Sequence, residues 1–259
     1  MNKLDIASVT MFSNAPEPVA SQGVKAQLRL REMILAGELA SGMRITELAI
    51  VEKLGISRTP IRAALVRLEQ EGLLDALSNG GYAVRTFSEQ DVSESIELRG
   101  TLEGLSARLA AERGVATAVL NEARSCLEEI DAALSQAALD DEAFLRYVTL
   151  NQKFHNLLGE MAQSTVIARE LERVVNLPFA SPSAFVVLQA NSLQARDMLI
   201  VAQHQHWQVL EAIGQREGAR AEAIMREHSR LARRNLRDAL KNHPLSQIPG
   251  ARLIRALAP

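Results

Sequence analysis

From Ser21 onward, apolar residues recur at spacings near three and four. Val24, Leu28, Ile34 and Leu35 mark one helix, closed by Gly37 and the Gly42 turn. A second, short helix is predicted over 46–54 and stops at Gly55. A third runs over 57–71 and stops at Gly72. There the period changes. The runs 73–77 and 82–86 flank Ser78-Asn79-Gly80-Gly81, the pattern of a β-hairpin. After Phe87 the helical period returns. Ser88 stands at a helix start, and Asp91 places a negative charge in the first turn. Helices are predicted at about 89–113, 117–138, 141–162, 164–176, 185–214 and 217–241. The breaks are Gly114, Asp140, Gln163-Ser164, the Pro178/Pro182 loop, and Gly214 to Gly218. Six helices with short connections predict an antiparallel bundle.

The expected fold is mainly α: a winged helix-turn-helix with a two-stranded wing at 21–87, then an all-α bundle at 88–241. Residues 1–20 lack periodicity and read as a flexible tail. Residues 242–259 hold Pro244, Pro249 and Gly250 and form a second tail, expected to wrap onto the body or fray. Composition agrees with a helical, aliphatic core: of 259 residues, 47% are hydrophobic and only 3% aromatic. One cysteine, Cys126, precludes an intrachain disulfide. The start has no basic segment followed by an apolar run, and no apolar stretch reaches the roughly 20 residues of a membrane span. A cytoplasmic protein without a membrane partner is expected.

Net charge changes the picture less than position does. The chain carries −2 overall, with no global basic footprint of the kind nucleic-acid binders show. Over 21–87 nine basic residues face seven acidic ones, a small local excess. What matters is where they stand. Gly55-Ile56-Ser57 joins two short helices by a tight turn, the helix-turn-helix layout. Ser57 is a good N-cap residue, and Pro60 sits in the first turn, where a missing N–H costs little. Ile61, Ala64, Leu65 and Leu68 share one face. Thr59, Arg62, Ala63 and Val66 lie away from it, with Arg58 at the helix start. In a major groove such an end offers arginine forks to guanine and small apolar groups to thymine methyls, while its backbone N–H groups can hold a phosphate. A single arginine there is more simply a solvated surface residue. The ordered set of turn, capped helix and glycine-tipped hairpin favours DNA. Arg85 is either a phosphate anchor for the wing or a structural surface residue.

The run from Gly55 to Leu65, with Leu68-Glu69 and Glu71-Gly72-Leu73 and the spacing back to Gly42-Met43-Arg44-Ile45, resembles the GntR family signature. The resemblance implies DNA contacts from Ser57, Arg58, Thr59, Arg62, Gly80 and Gly81. Many relatives carry an arginine where this chain has Leu48, and Arg44 is the candidate to replace that contact.

A second constellation lies in the bundle. Asn151 and His155 are four residues apart and share a helix face. His206 precedes Gly214 by eight residues, and His228 follows Gly218 by ten. If 214–218 turns the chain, His206 and His228 fall at similar heights on antiparallel helices. One asparagine and three histidines could then converge and hold a divalent metal, zinc first. The simpler alternative is that isolated helical histidines are solvated or satisfied in the core. His204 faces about 200° from His206, His243 lies past the last helix, and Trp207 reads as core packing.

Asn151-x-x-Phe154-His155, His206-x-x-Val209-x-x-Ala212-Ile213, Met225-x-x-His228 and Leu98-Arg99-x-x-Leu102-Glu103 resemble the FCD effector domain of one GntR subfamily, the FadR type. With the N-terminal signature, the resemblance covers about 21–241. It implies a metal held by Asn151, His155, His206 and His228. It also implies an effector carboxylate met by these residues and by the fork of Arg99; an intra-bundle salt bridge is the alternative role for Arg99. The usual first ligand is an aspartate, and the neutral amide of Asn151 is a weaker donor. The stretch from Arg146 to His155 and the pair Gln205-His206 resemble vanillate-responsive repressors. The resemblance therefore implies a homodimer on a pseudo-palindromic double-stranded operator, repressing a catabolic operon and released by a small organic acid, an aromatic acid first. Two alternatives belong to other classes. One is a metal-dependent hydrolase, for which Glu227 beside His228 points about 100° away. The other is a helical interaction module.

Overall fold

The computed structural model describes residues 19–135, 141–177, 180–182, 193–242 and 253–255. Helix α1 spans Val19–Leu35, two residues into the segment expected as a tail; residues 1–18 lie outside the described ones. Its inner stripe is Ala26, Leu30, Met33 and Ile34, all buried, and it packs on α3 (Arg58–Gln70). Val24 and Leu28, which the spacing alone marks as part of the apolar stripe, are 44% and 54% exposed. Gly23 and Ala26 are buried, with Gly23 beside the Pro60 carbonyl of α3, while Val24 and Leu28 face outward.

Strand β1 (Arg44–Ile45) leads into α2 (Glu47–Leu54), and the turn Gly55-Ile56-Ser57 leads into α3. The face predicted for α3 is buried: Ile61, Ala64, Leu65 and Leu68. The hairpin is β2 (Leu74–Ala76) and β3 (Tyr82–Val84). It is joined by β1 into a three-stranded antiparallel sheet of order β1-β3-β2, with Arg44 opposite Ala83 and Ile45 opposite Tyr82. A two-residue strand has no period to read, so β1 is invisible in the sequence. At the wing, Gly81 has φ +82°, and a Cβ there would stand 2.8 Å from the Ile45 carbonyl oxygen. Only glycine serves that close passage of β1 beneath the turn.

Strand β4 (Phe87–Ser88) links the head to α4 (Glu89–Arg113), followed by α5 (Thr117–Leu134), α6 (Asp141–Met161), α7 (Thr165–Val175), α8 (Leu193–Gly214) and α9 (Gly218–Asn242). The expected extensions of α5 to 138 and of α8 back to 185 fall outside the described residues. A capping box starts α4: Ser88 Oγ accepts from the Asp91 backbone N–H at 3.0 Å, and the Asp91 carboxylate accepts from the Ser88 N–H at 2.7 Å. Helix α4 runs through the bundle and packs chiefly on α9. Gly100 and Gly104 make this possible, because a Cβ at either would run into Ser229 or Arg226 of α9.

Among the described residues two apolar cores result. One lies among α1, α2, α3 and the sheet, and takes in Val92 and Ile96 from the start of α4. The other fills the bundle with Leu127, Ile130, Phe154, Leu158, Val209 and Met225. From the C-terminal segment, strand β5 (Ile254–Arg255) pairs in parallel with β4, Ile254 beside Phe87. Leu253 and Ile254 join the first core at 1% and 6% exposure. This part of the segment wraps onto the body.

Candidate metal centre and nucleic-acid interface

In the bundle, α6, α8 and α9 each deliver one imidazole. His155, His206 and His228 are buried, and each offers one ring nitrogen, these nitrogens lying within 4.8 Å of one another. His206 Nε2 and His228 Nε2 are 3.2 Å apart. Two nitrogens on a tetrahedral zinc ion stand roughly 3.3–3.4 Å apart, given Zn–N bonds of about 2.0–2.1 Å. Asn151 is buried one turn before His155 on α6.

The outward nitrogens are all engaged. His155 Nδ1 is 2.7 Å from Glu103 Oε1. His206 Nδ1 is 3.2 Å from Gln203 Oε1, and the Gln203 amide is oriented because its NH2 donates to the Leu127 carbonyl at 2.8 Å and to Asp131 at 2.9 Å. His228 Nδ1 is 3.2 Å from Gln205 Oε1. Each acceptor calls for a proton on Nδ1, which leaves the Nε2 lone pairs facing one another. The buried His155 Nε2 has no hydrogen-bond partner. Buried acceptors facing only each other are unfavourable unless a cation lies between them, and ligating histidines characteristically donate their other N–H to an oxygen. The residues therefore fit a metal.

Electrostatics agree. Burial, then the neighbouring imidazoles, push His206 well below the ordinary histidine value. Burial, then His155, pushes His228 down to about 3. Both rings are neutral, as metal ligands must be. For Glu103, burial acts upward as the largest single influence, but His155, Arg99 and the His155 hydrogen bond together outweigh it and hold the carboxyl at about 2. It is an ionised acceptor.

Arg99 is also buried. Its Nε lies 3.3 Å from Glu103 Oε2, within ion-pair range though not aligned as a hydrogen bond, and its Nη1 donates to the Ala180 carbonyl at 2.7 Å. The Glu103 contact is the intra-bundle ion pair that the sequence allowed beside an effector contact. His204 is exposed, and the Trp207 indole donates to Asp131 at 2.9 Å. Beside His155 lies a cavity of about 200 Å³, walled by Glu103, Ala168, Leu171, Val175 and Pro182. A larger polar cleft of about 660 Å³ between α3 and α7 contains none of the histidines.

Sequence reasoning did not assign Glu103, Gln203 or Gln205 a role at the metal. The signal for Gln203 was its place three residues before His206, on the same helix face. Glu103 had one too: it stands one turn after Arg99 on a face otherwise lined by Gly100, Gly104 and Ala107.

On the head, the start of α3 is open to solvent at Ser57, Arg58, Thr59 and Arg62. Ser57 occupies the N-cap position of α3 but makes no side-chain capping bond. This corrects its reading as a capping residue. Pro60, the third residue of the helix, has no N–H to donate, which removes one of the two amides an N-cap side chain can reach. Arg62 instead forms a two-point bond with Glu47 of α2: Nε to Oε1 at 2.7 Å, and Nη2 to Oε2 at 2.9 Å. Arg44 Nη2 donates to the Gly80 carbonyl at 2.9 Å and braces the wing turn. The Arg85 guanidinium lies 5.1 Å from the ring centre of Phe87. Leu48, on α2, is half exposed.

Known proteins match both regions. A family model described as "Bacterial regulatory proteins, gntR family" matches residues 22–84, and one described as "FCD domain" matches 94–231. The uncharacterized HTH-type transcriptional regulator YdhC of Bacillus subtilis is 33% identical over 149 residues, covering 58% of this chain and 64% of that protein. The Glc operon transcriptional activator of Escherichia coli is 27% identical, covering 89% of this chain and 92% of that protein. In fold the chain is similar to the solved structure of E. coli McbR/YncC, with a TM-score of 0.61, 18% identity, and coverage of 85% of this chain and 98% of that one. Among the described residues, no helix is long and apolar enough to cross a membrane. The matched families are transcriptional regulators and not enzymes, which sets the hydrolase alternative aside. The chain belongs to the FCD-domain branch of the gntR family and is a DNA-binding transcriptional regulator.

Proposed function

We propose that the chain is a metal-dependent sensor of a small organic acid, which releases a catabolic operon when the acid binds. The reading divides the chain into a DNA-reading head at 21–87 and a sensing bundle at 88–241. Its principal support is the convergence of three Nε2 lone pairs beside a small cavity, each ring held from behind by an oxygen. Zinc is the metal the donor set suits best, with Asn151 as the weaker fourth ligand. When bound, the ion would attract an anion, which could take the place of the weakly held Asn151 amide or enter as a fifth ligand.

Charge decides how the acid is held. Glu103, Glu160 and Glu172 line the cavity, and Arg99 is bound to Glu103 and the Ala180 carbonyl. An anion meets repulsion there unless a cation sits among the histidines. Acid binding would therefore depend on a cation held by His155, His206 and His228, with Arg99 kept on Glu103 and the Ala180 carbonyl. A cavity of about 200 Å³ is below the roughly 300–1,000 Å³ of drug-sized pockets, which favours a compact acid. Vanillate and related aromatic acids lead, on the resemblance of the 146–155 stretch to vanillate-responsive repressors.

On the DNA side, Ser57, Arg58, Thr59 and Arg62 would enter a major groove, while Arg44, Gly80 and Gly81 place the wing against the backbone. Two copies would read the halves of a pseudo-palindrome. The acid acts by binding one arrangement of head and bundle better than the other. The activator named among the relatives supplies the second reading, in which the acid engages the same site but DNA binding switches transcription on.

The test is a thermal-shift screen of small carboxylates with and without zinc, followed by binding to the DNA upstream of the chain's own gene. A zinc-dependent shift by one acid, and loss of DNA binding with it, is expected. Acid shifts that are identical in chelator would overturn the metal-dependent reading. An acid that leaves DNA bound but raises transcription would establish the second.

A further inference from the structure

Glu47 contributes little to folding beyond a negative charge in the first turn of α2. Its partner Arg62 is 66% exposed. An exposed pair adds little to stability. It is also a carboxylate on the surface that meets phosphate, where it opposes binding. Yet the contact is well formed, at 2.7 and 2.9 Å, with both carboxylate oxygens engaged. The Arg62 bond and the arginine charges nearby hold Glu47 below its ordinary value, so it is ionised.

The edge it uses is what matters. A guanidinium has five N–H donors in a rigid plane. Glu47 takes the edge formed by Nε and Nη2. The end-on edge remains, with one hydrogen on Nη1 and one on Nη2, on a side chain that is 66% exposed. That edge is the fork which pairs with guanine O6 and N7. A long side chain otherwise free to rotate is held as a plate, anchored to a second helix. We propose that Glu47 is a specificity-determining positioning residue: it orients Arg62 end-on for a guanine and, by its own charge, weakens attachment to DNA lacking that base.

The inference rests on the reading of Arg62 as a base contact. It makes two effects of opposite sign. Without Glu47, binding to the correct site weakens, because Arg62 must be ordered on arrival. Binding to any other DNA holds or tightens, because a negative charge has left the interface. A structural role would lower both together.

The experiment uses the full chain. Duplexes enriched from a random pool by the wild type serve as the specific probe, with an unrelated duplex of equal length and composition beside them. Dissociation constants are measured for wild type, Glu47→Gln, Glu47→Asp, Arg62→Ala and Glu47→Gln/Arg62→Ala. Glu47→Asp keeps the charge at the start of α2 but shortens the reach. Both single Glu47 variants are expected to lose about tenfold in the ratio of specific to unrelated binding. Unrelated binding should be unchanged or tighter in Glu47→Gln, and Glu47→Gln should have no further effect on the ratio once Arg62 is absent. A wild-type ratio in both single variants overturns the inference alone. So does an equal loss on both duplexes, the same loss without Arg62, or tighter specific binding. A wild-type chain that enriches no sequence overturns the DNA reading and this inference with it.

Discussion

His155 Nδ1 lies 2.7 Å from Glu103 Oε1, and both side chains are buried. Because Glu103 is ionised, it can only accept, so the imidazole donates from Nδ1 and turns the Nε2 lone pair toward His206 and His228. One carboxylate on α4 thereby selects the tautomer of a ligand on α6.

Replacing His206 with alanine should abolish tight zinc binding, read by competition with a chromophoric chelator. Glu103→Ala should weaken zinc affinity about 10- to 100-fold, the usual effect of losing an outer hydrogen-bond partner. It should also melt earlier, because Arg99 stays buried without its counter-charge, at a cost of about 3–5 kcal/mol. Unchanged zinc affinity in both variants would remove the histidines from the metal site.

Arg62→Ala should weaken binding to the chain's preferred duplex about tenfold or more and relax preference at one base pair. Its melting temperature should stay close to wild type, since the side chain is exposed and its ion pair adds little. Gel-shift titrations with single-base variants of the duplex read both effects.

Leu253 and Ile254 sit in the core of the head, against Phe87, Val92 and Ile96. Leu253→Ala should destabilise the head by about 2–4 kcal/mol through the cavity left behind. Hydrogen exchange should show faster opening at β4 and the first turns of α4, with bundle amides near Phe154 and Val209 unaffected. Uniform loss across both regions would mean that the segment does not act locally.

Asp91 should give stability a defined pH dependence. Its carboxyl is held below the ordinary value of 3.8, first by the Ser88 backbone N–H and then by the Ser88 hydroxyl. The depressed value in the folded state means that the contribution is complete above about pH 4 and fades as pH falls through that lower value. Asp91→Ala should cost about 1 kcal/mol at neutral pH. The gap from wild type should close in strong acid, as followed by urea midpoints at successive pH values.

Local order was legible wherever it repeats. The buried face of α3, the helices of the bundle and the shared face of Asn151 and His155 all follow from three- and four-residue spacing. Ser57 misled: its residue type marks an N-cap, and it holds that position, but its side chain makes no capping bond. Val24 and Leu28 misled as well, because spacing marks a stripe but not which way a neighbour turns it.

By itself the sequence determined which segments are helices, where the hairpin turns, and that histidines recur on helix faces, because those properties depend on residues a few positions apart. Tertiary structure alone decided the rest. β1 and β5 are strands only because β3 and β4 offer them hydrogen bonds from far along the chain. Glu47 meets Arg62, and Glu103 meets His155, only because α2 crosses α3 and α4 lies against α6. Such pairings are set by packing over long separations, and no local pattern encodes them.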